Sequence, residues 1–192
     1  MSRADSLLFE PLKLPCGAVL KNRISKSAMS DSLGDGTGHP TEAQARLYRC
    51  WAEGGLALSI VGEVQGAPGF AEKPGNLVLN ESSDLSRFET LARAGAENGA
   101  HLWLQLGHAG AMAYPPTCAP KGPSALDLPG LTCAELTRDE IRALPSQFAR
   151  TARLARQAGF GGVQLHAAHG FLLSQFLSPL FNKRTDDYGG AV

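Results

Sequence analysis

Short apolar runs alternate with helical segments along this chain, and the alternation limits the folds available to it. The apolar runs predict strands at residues 24–28, 56–61 and 102–106, and a fourth strand that runs from Val163 into His166. Three amphipathic segments between these runs predict helices. Strands that are joined through helices pair in parallel, so the pattern predicts an α/β protein built from βα units.

The helix boundaries can also be predicted. Capping boxes at Thr41–Gln44 and Thr137–Glu140 predict the starts of the first and third helices, because their side chains satisfy free backbone N–H groups. The second helix is predicted to start at residues 83–84. The third is predicted to be interrupted or kinked at Pro145 and to resume over residues 146–158, since proline lacks the backbone N–H that a helix needs.

Two parallel architectures fit this order of elements. One is a flavodoxin-like open sheet, and the other is a TIM barrel, in which eight βα units close on themselves. A small hairpin, expected at residues 12–20, precedes the units in either case. No G-x-G-x-x-G motif follows the first strand, so the phosphate cradle of the dinucleotide-binding fold is missing.

Charge and composition narrow the functional classes. The chain has 192 residues, and its 18 Lys and Arg balance its 18 Asp and Glu, which gives no electrostatic attraction to nucleic acid or acidic membranes. No apolar run is long enough for a signal peptide or a membrane span. The four cysteines form no C-x-x-C pair and are expected to be reduced thiols, so we expect a cytoplasmic protein.

Two histidines, His166 and His169, end the fourth apolar run, which is itself predicted to be a buried strand. In a parallel barrel, active sites lie at the carboxyl ends of the strands. Two imidazoles there could donate hydrogen bonds to a carbonyl or anionic oxygen, or act as acids and bases. The pair alone leaves two other interpretations open: half of a zinc site, and a hydrogen-bonded pair with no chemistry.

The residues that follow this pair extend it into a long motif. From His166 to Gly190 the chain reads H-A-A-H-G-F-L-L-x-Q-F-L-S-P-L-x-N-x-R-T-D-x-Y-G-G. This motif resembles the fourth-strand signature of the old yellow enzyme family of FMN-dependent NAD(P)H:flavin oxidoreductases. The resemblance covers essentially the whole chain and implies an α/β TIM (β/α)₈ barrel with only about its first four βα units present. Residues 1–192 would then be the N-terminal half of an FMN-dependent TIM-barrel oxidoreductase domain.

The resemblance also implies a cofactor and a set of site residues. The cofactor would be non-covalent FMN, with NAD(P)H as reductant, an electron-poor alkene or enone as acceptor, and no metal. His166 and His169 would hold the acceptor's oxygen, with His108 nearby at the substrate. Gln105 would contact the flavin pyrimidine; by itself, a glutamine inside an apolar strand is costly unless its amide is bonded. The other implied flavin contacts are Ser27, Ala28, Met29, Ser30 and the backbone near Glu63.

Three residues depart from the family pattern. Ala28 stands where proline is commoner, and Ala111 stands where an arginine usually follows H-A-G. Phe171 stands where the family commonly has a tyrosine, whose hydroxyl delivers a proton to the substrate. Because phenylalanine has no hydroxyl, alkene reduction here would need another proton donor or water.

The R-T-D-x-Y-G-G segment is interpreted as structural. We expect Arg184, Asp187 and Tyr188 to provide an ion pair and a packed ring that fix the loop after the fourth strand.

Two other functions remain open. The chain could be a truncated, non-catalytic half-barrel that cannot hold FMN, because phosphate sites in these barrels usually come from the loops after strands seven and eight. Its open strand edges would favour self-association into a homo-oligomer. A metal-dependent hydrolase would need carboxylates at the strand ends, and only Glu63 is placed for that.

Overall fold

The computed structural model describes residues 7–190. Two short strands, β1 and β2, pair antiparallel as the expected hairpin. Four longer strands form a parallel sheet in the order β10-β6-β4-β3, and β5 pairs with the end of β4. All four predicted strands of the βα units are therefore present. The elements of this part are β1 (Leu12–Lys13), β2 (Val19–Leu20), β3 (Ser25–Ser30), β4 (Leu58–Gln65), β5 (Leu77–Val78), β6 (His101–Gly107) and β10 (Gly162–Leu165).

Three helices cover one face of the sheet. They are α1 (Glu42–Glu53), α2 (Leu85–Gly95) and α3 (Arg138–Gln157), and a short α4 (Leu172–Phe176) follows β10. The side chains of β6 alternate between the two faces of the sheet. Leu102, Leu104 and Leu106 are buried in the core shared with the helices, whereas Trp103 packs against the cluster formed with the hairpin. The largest fully buried side chains of the helix-side core include Tyr48, Phe88 and Leu91.

The capping boxes are only partly as predicted. At α3, Thr137 and Glu140 satisfy each other's backbone N–H groups in both directions. At α1, the Thr41 hydroxyl accepts from the Gln44 N–H at 3.2 Å, but the Gln44 side-chain amide instead donates to the Asp31 carboxylate at 3.0 Å. The Gln44 Nε2 atom donates to both oxygens of the Asp31 carboxylate, and these charge-assisted bonds hold the side chain there instead of at the Thr41 N–H.

The predicted interruption at Pro145 is wrong, because α3 is one helix through this residue, whereas a kink there stays a prediction. Proline removes one backbone hydrogen bond but already has a helical φ. Leu144 is buried and Phe148 packs against the helix-side core, so tertiary packing holds the turns on both sides of Pro145. That packing offsets the lost bond.

Two connections between the βα units contain strands that the sequence pattern did not predict. The segment after β4 includes β5, and the excursion after β6 forms a three-stranded sheet in the order β7-β9-β8. These strands have two to five residues, too few to show a periodic pattern. They are β7 (Lys121–Gly122), β8 (Leu126–Leu128) and β9 (Leu131–Glu135).

The prediction that the fourth strand is buried is also wrong. Within residues 7–190, β10 pairs only with β6 and is an edge of the sheet. Val163 is 37% exposed and Leu165 is 55% exposed, although both are apolar. By contrast, every residue of β4 is buried, as expected for a central strand covered on both faces.

All four strand ends meet at one edge of the sheet. Ser30 lies opposite Gly62 in the register of β3 and β4, and Val64 lies opposite Leu106 in that of β4 and β6. The His166 N–H donates to the Leu106 carbonyl at 2.9 Å, which places the histidine loop at the same edge. No helix in the described part of the chain is long and apolar enough to cross a membrane.

Candidate active site

An irregularity in β4 turns the Glu63 side chain toward the histidine loop. The strand register shifts between Val61 and Val64, and Gly62 and Glu63 lie in this shift. Glu63 is only 8% exposed, and its Oε1 lies 3.9 Å from the His166 Nε2 atom. Burial, reinforced by the charge of Glu72, raises the pKa of Glu63 to about 7. Near neutral pH this carboxyl therefore carries its proton much of the time.

The histidine pair is held by local bonds. The Ala168 N–H donates to His166 Nδ1 at 3.2 Å, and His169 Nδ1 lies 3.3 Å from His166 Nε2. His169 adopts a left-handed φ of 57°, which folds its ring back toward His166. Burial, with the nearby His169, lowers the pKa of His166, so that ring is neutral at pH 7. Because Nδ1 accepts a bond, the proton of the neutral ring is on Nε2.

The lowered pKa of His166 and the raised pKa of Glu63 determine whether their contact is an ion pair or a contact between neutral groups. A histidine and a glutamate 3.9 Å apart could form an ion pair. Burial favours the neutral form of both groups and is the largest influence on the pKa of each. The contact is therefore between an acid and a neutral imidazole, two groups that can each donate one hydrogen bond.

Gln105 lies at the same edge and is oriented by a residue that the sequence analysis did not single out. Its Nε2 donates to the Gln164 Oε1 at 2.8 Å, across paired strands β6 and β10. The Gln105 Oε1 then lies beside Gly62, where an added Cβ would be 3.1 Å from it. The sequence did indicate a bonded amide at Gln164, because this residue is also a glutamine within an apolar strand.

A second glutamine, Gln175, fixes the loop that carries the histidines. It is fully buried, and its Nε2 donates to the Ala109 carbonyl at 3.0 Å and the Gly170 carbonyl at 2.6 Å. Its Oε1 accepts from the Ala111 N–H at 3.1 Å. Gln175 thus joins the loop after β6 to the loop after β10. Its position on α4 gave no sequence signal for this role.

The structure does not bring His108 together with the histidine pair. The His108 ring stacks on Phe70 with 3.7 Å between ring centroids, and its Nδ1 accepts from the Gly110 N–H at 3.0 Å. Burial lowers the pKa of His108 to about 4. The ring lines a separate cavity of about 270 Å³ with Cys118 and Lys121. A substrate role for His108 stays a prediction.

The residues at the end of β3 are open to solvent. Ser27 is exposed, Met29 is 60% exposed, and Ala28 and Ser30 are half-buried. Ala28 Cβ and the Met29 N atom would both lie 3.1 Å from a Cβ added at Gly62, so this strand end adjoins the Gln105 amide. The roles of these residues also stay predictions.

Phe171 closes one side of the histidine cluster. It is 4% exposed, and its ring meets the His166 ring edge-on with 4.8 Å between centroids. The ring presents no hydroxyl to the site. Within residues 7–190, no group of three or more histidine, cysteine, aspartate or glutamate side chains is placed to hold a metal ion.

The R-T-D-x-Y-G-G loop is built around Arg184, but its ion pair differs from the predicted one. Arg184 pairs with Asp186, with Nη2 2.6 Å from Oδ2, whereas Asp187 pairs with Arg138. The Arg184 side chain is 5% exposed and also donates to the carbonyls of Pro123 and Leu136. Arg184 pairs with Asp186 because the turn brings this carboxylate, two residues along the chain, within reach of both the Nε and Nη2 atoms of the guanidinium.

The sequence of this chain is similar to those of a known family of proteins. A model of the NADH:flavin oxidoreductase / NADH oxidase family matches residues 7–192. The chain is 37% identical to the NADH-dependent flavin oxidoreductase iliE of Neonectria sp. (strain DH2), over 97% of this chain and 28% of that protein.

Two solved structures share the fold. Old Yellow Enzyme from Pichia sp. AKU4542 matches with a TM-score of 0.90 and 28% identity, over 99% of this chain and 53% of that one. Morphinone reductase in complex with tetrahydroNAD matches with a TM-score of 0.86 and 27% identity, over 96% of this chain and 55% of that one. The chain thus spans about a quarter to half of the length of these proteins. Its fold is the first part of a TIM barrel, as the sequence predicted.

The carboxyl edge also fits the family's flavin cofactor. A flavin needs an amide that bonds donor and acceptor atoms on the edge of its ring, and Gln105 supplies one. It also needs backbone that can approach a flat ring closely. Gly62 has no side chain, and a Cβ there would lie 3.1 Å from the Gln105 Oε1 atom, so glycine lets the backbone lie directly beside this amide. The residues present therefore suit FMN.

Proposed function

The chain belongs to the NADH:flavin oxidoreductase / NADH oxidase family, and on that premise we propose that it supplies the ring-edge and substrate part of an FMN-dependent NAD(P)H oxidoreductase. Residues 1–192 are the N-terminal half of its single barrel domain. When bound, FMN supplies the hydride chemistry, taking hydride from NAD(P)H and giving it to an electron-poor alkene, enone or similar small acceptor. The four free cysteines support a reducing, cytoplasmic compartment.

One observation carries this proposal: the Gln105 amide and the histidine pair share one edge of the sheet with the Gly62 backbone. Gln105 holds the pyrimidine edge of the flavin, and Ser27, Ala28, Met29, Ser30 and the Glu63 backbone border the ring.

His166 and His169 bind the acceptor's carbonyl or nitro oxygen. The His166 Nε2–H donates to that oxygen in place of the 3.3 Å contact with His169. A hydrogen bond to the oxygen draws electrons from the conjugated carbon, which makes the β-carbon a better hydride acceptor. Phe171 keeps water from one side of the imidazole.

The test compares the protein from its complete coding sequence with a His166→Ala/His169→Ala variant. We expect the purified protein to be yellow, to bleach on addition of NAD(P)H, and to recover its colour on addition of an enone. The variant should still bleach with NAD(P)H but should recover at least a hundredfold more slowly with the enone. A colourless protein that does not bind added FMN would contradict the proposal.

A second function is a non-catalytic half-barrel. It is favoured by the exposed apolar residues of β10, with Leu165 at 55% exposure, since an open strand edge pairs readily with another chain. Under this alternative the 192-residue chain accumulates in cells as a flavin-free homo-oligomer. Size and flavin content of the chain isolated from its native source distinguish the two.

A further inference from the structure

The structure contains a buried acid beside the residue that binds the substrate oxygen. Glu63 Oε1 lies 3.9 Å from His166 Nε2, and both side chains are almost fully buried. An oxygen atom can accept a hydrogen bond of ordinary length, about 2.7 to 2.9 Å, from each of two donors that are 3.9 Å apart. A substrate oxygen that binds His166 Nε2 on the side facing Glu63 is therefore also within reach of the Glu63 carboxyl.

The reaction in the proposed function needs a proton as well as a hydride, and this inference rests on that function. Phe171, which packs on His166, has no proton to give. His166 is a poor source, because its Nδ1 accepts a bond from the Ala168 N–H and its only proton is on Nε2. Giving up that proton would leave an imidazolate anion in a buried site, which is costly.

We propose that the Glu63 carboxyl is the proton donor, and that it protonates the substrate oxygen held by His166. As hydride arrives at the β-carbon, the alkene electrons shift toward the carbonyl and charge builds on its oxygen. The Glu63 O–H bond breaks and an O–H bond forms on the substrate. The products are an enol and the Glu63 carboxylate, which regains its proton from water. The enol leaves and becomes the ketone in solution.

The surroundings of Glu63 keep it available as an acid. Gln65 on its own strand donates to Oε2 at 3.4 Å, Glu72 and Lys73 act from the following loop, and His166 faces it from the loop after β10. Burial and Glu72 raise the pKa of Glu63 to about 7, against the smaller opposing effects of Lys73 and Gln65. An acid with this pKa is well matched to proton transfer near neutral pH.

The test uses Glu63→Gln in the protein from its complete coding sequence, with the surface variant Glu81→Gln as its control. Glutamine keeps a hydrogen-bond donor but cannot transfer a proton. We expect enone reduction by Glu63→Gln to fall a hundredfold or more relative to its flavin reduction by NAD(P)H, and we expect both rates to be unchanged in Glu81→Gln. Reoxidation by ferricyanide, which needs no proton on a substrate oxygen, should be unchanged. Enone reduction at the wild-type rate would overturn the proposal.

Two further measurements on the wild-type protein do not depend on that variant. In D₂O, a 2-substituted enone should give product with racemic deuterium at the α-carbon, because the enol tautomerises in solution. Deuterium of a single configuration there would overturn the proposal. The flavin-free protein should show an infrared carboxylic-acid band that disappears as the pH rises through about 7, and its absence would also overturn the proposal. A protein that takes no hydride from NAD(P)H would contradict the proposed function instead.

Discussion

Glu63 is the residue whose environment departs most from what its position in the sequence suggests. A glutamate at the end of a strand is ordinarily solvated, yet this one is 8% exposed. Burial has the largest effect on its pKa, and the like charge of Glu72 acts in the same direction. The same burial that fits it for proton transfer also makes the folded protein sensitive to pH.

We predict that Glu63→Gln stabilises the flavin-free protein at alkaline pH. The pKa of Glu63 is about 7 when folded, against an ordinary 4.5, so the folded state binds more protons between these values and loses stability as the pH rises through them. Above pH 8, the penalty is about 1 to 3 kcal/mol. The glutamine variant does not have this penalty. Its free energy of unfolding in urea should therefore exceed that of the wild type by a large amount at pH 9 and by a small amount at pH 5. An advantage that does not vary with pH would contradict this account.

Gln164 is a second residue whose role depends on a neighbour. We predict that Gln164→Leu weakens FMN binding by about tenfold, since the loss of one hydrogen bond lets the Gln105 amide rotate. Gln164→Glu keeps an acceptor at the same distance and should bind FMN more tightly than the leucine variant. Fluorescence titration of FMN against the flavin-free protein measures both. Equal affinity for the two variants would show that Gln164 does not orient Gln105.

At the scale of elements, the loop after β10 depends on side chains from distant parts of the chain. Arg184 donates to two backbone carbonyls and two carboxylates, and Gln175 bonds three backbone groups. Neither residue belongs to the sheet, yet together they hold the loops that follow β6 and β10. The histidine pair is therefore positioned by bonds outside the strands as much as by the strand that precedes it.

We predict that Arg184→Lys destabilises the protein by about 2 to 4 kcal/mol. Lysine cannot reproduce the bidentate contact with Asp186 and leaves buried carbonyls without partners. Thr185→Ala, at the exposed neighbouring position, should change stability by less than about 0.5 kcal/mol. Thermal unfolding followed by circular dichroism measures both variants, and a lysine variant as stable as wild type would remove Arg184 from the loop's support.

At the scale of the whole molecule, the described sheet has two unpaired edges and an apolar groove. The groove has a volume of about 1100 Å³ and is lined by Phe148 of α3, Val163 and Leu165 of β10, and Phe176 of α4. Val163 and Leu165 of β10, which the sequence predicted to be buried, are exposed along this groove.

We predict that the isolated 192-residue chain binds FMN weakly and self-associates. The ring-edge residues are present, but phosphate-binding loops in such barrels usually follow strands seven and eight. Leu165→Lys should reduce self-association, because a charge at an open edge opposes strand pairing. Leu180→Lys, at a residue outside the strands that is 73% exposed, is the control and should not change it. Size-exclusion chromatography with flavin detection is the measurement. A yellow monomer with full NAD(P)H turnover would contradict this prediction.

The sequence by itself determined the βα order, the parallel sheet, the edge at which the site lies and the family motif around His166. These follow from local signals: apolar runs, capping residues and a motif of contiguous residues. The tertiary structure alone decided that Pro145 leaves α3 intact, that Arg184 pairs with Asp186, and that Glu63 faces His166. It also decided the bonds of Gln164 and Gln175. Most of these contacts join residues far apart in the chain, and their energies depend on burial, which a single sequence does not encode locally.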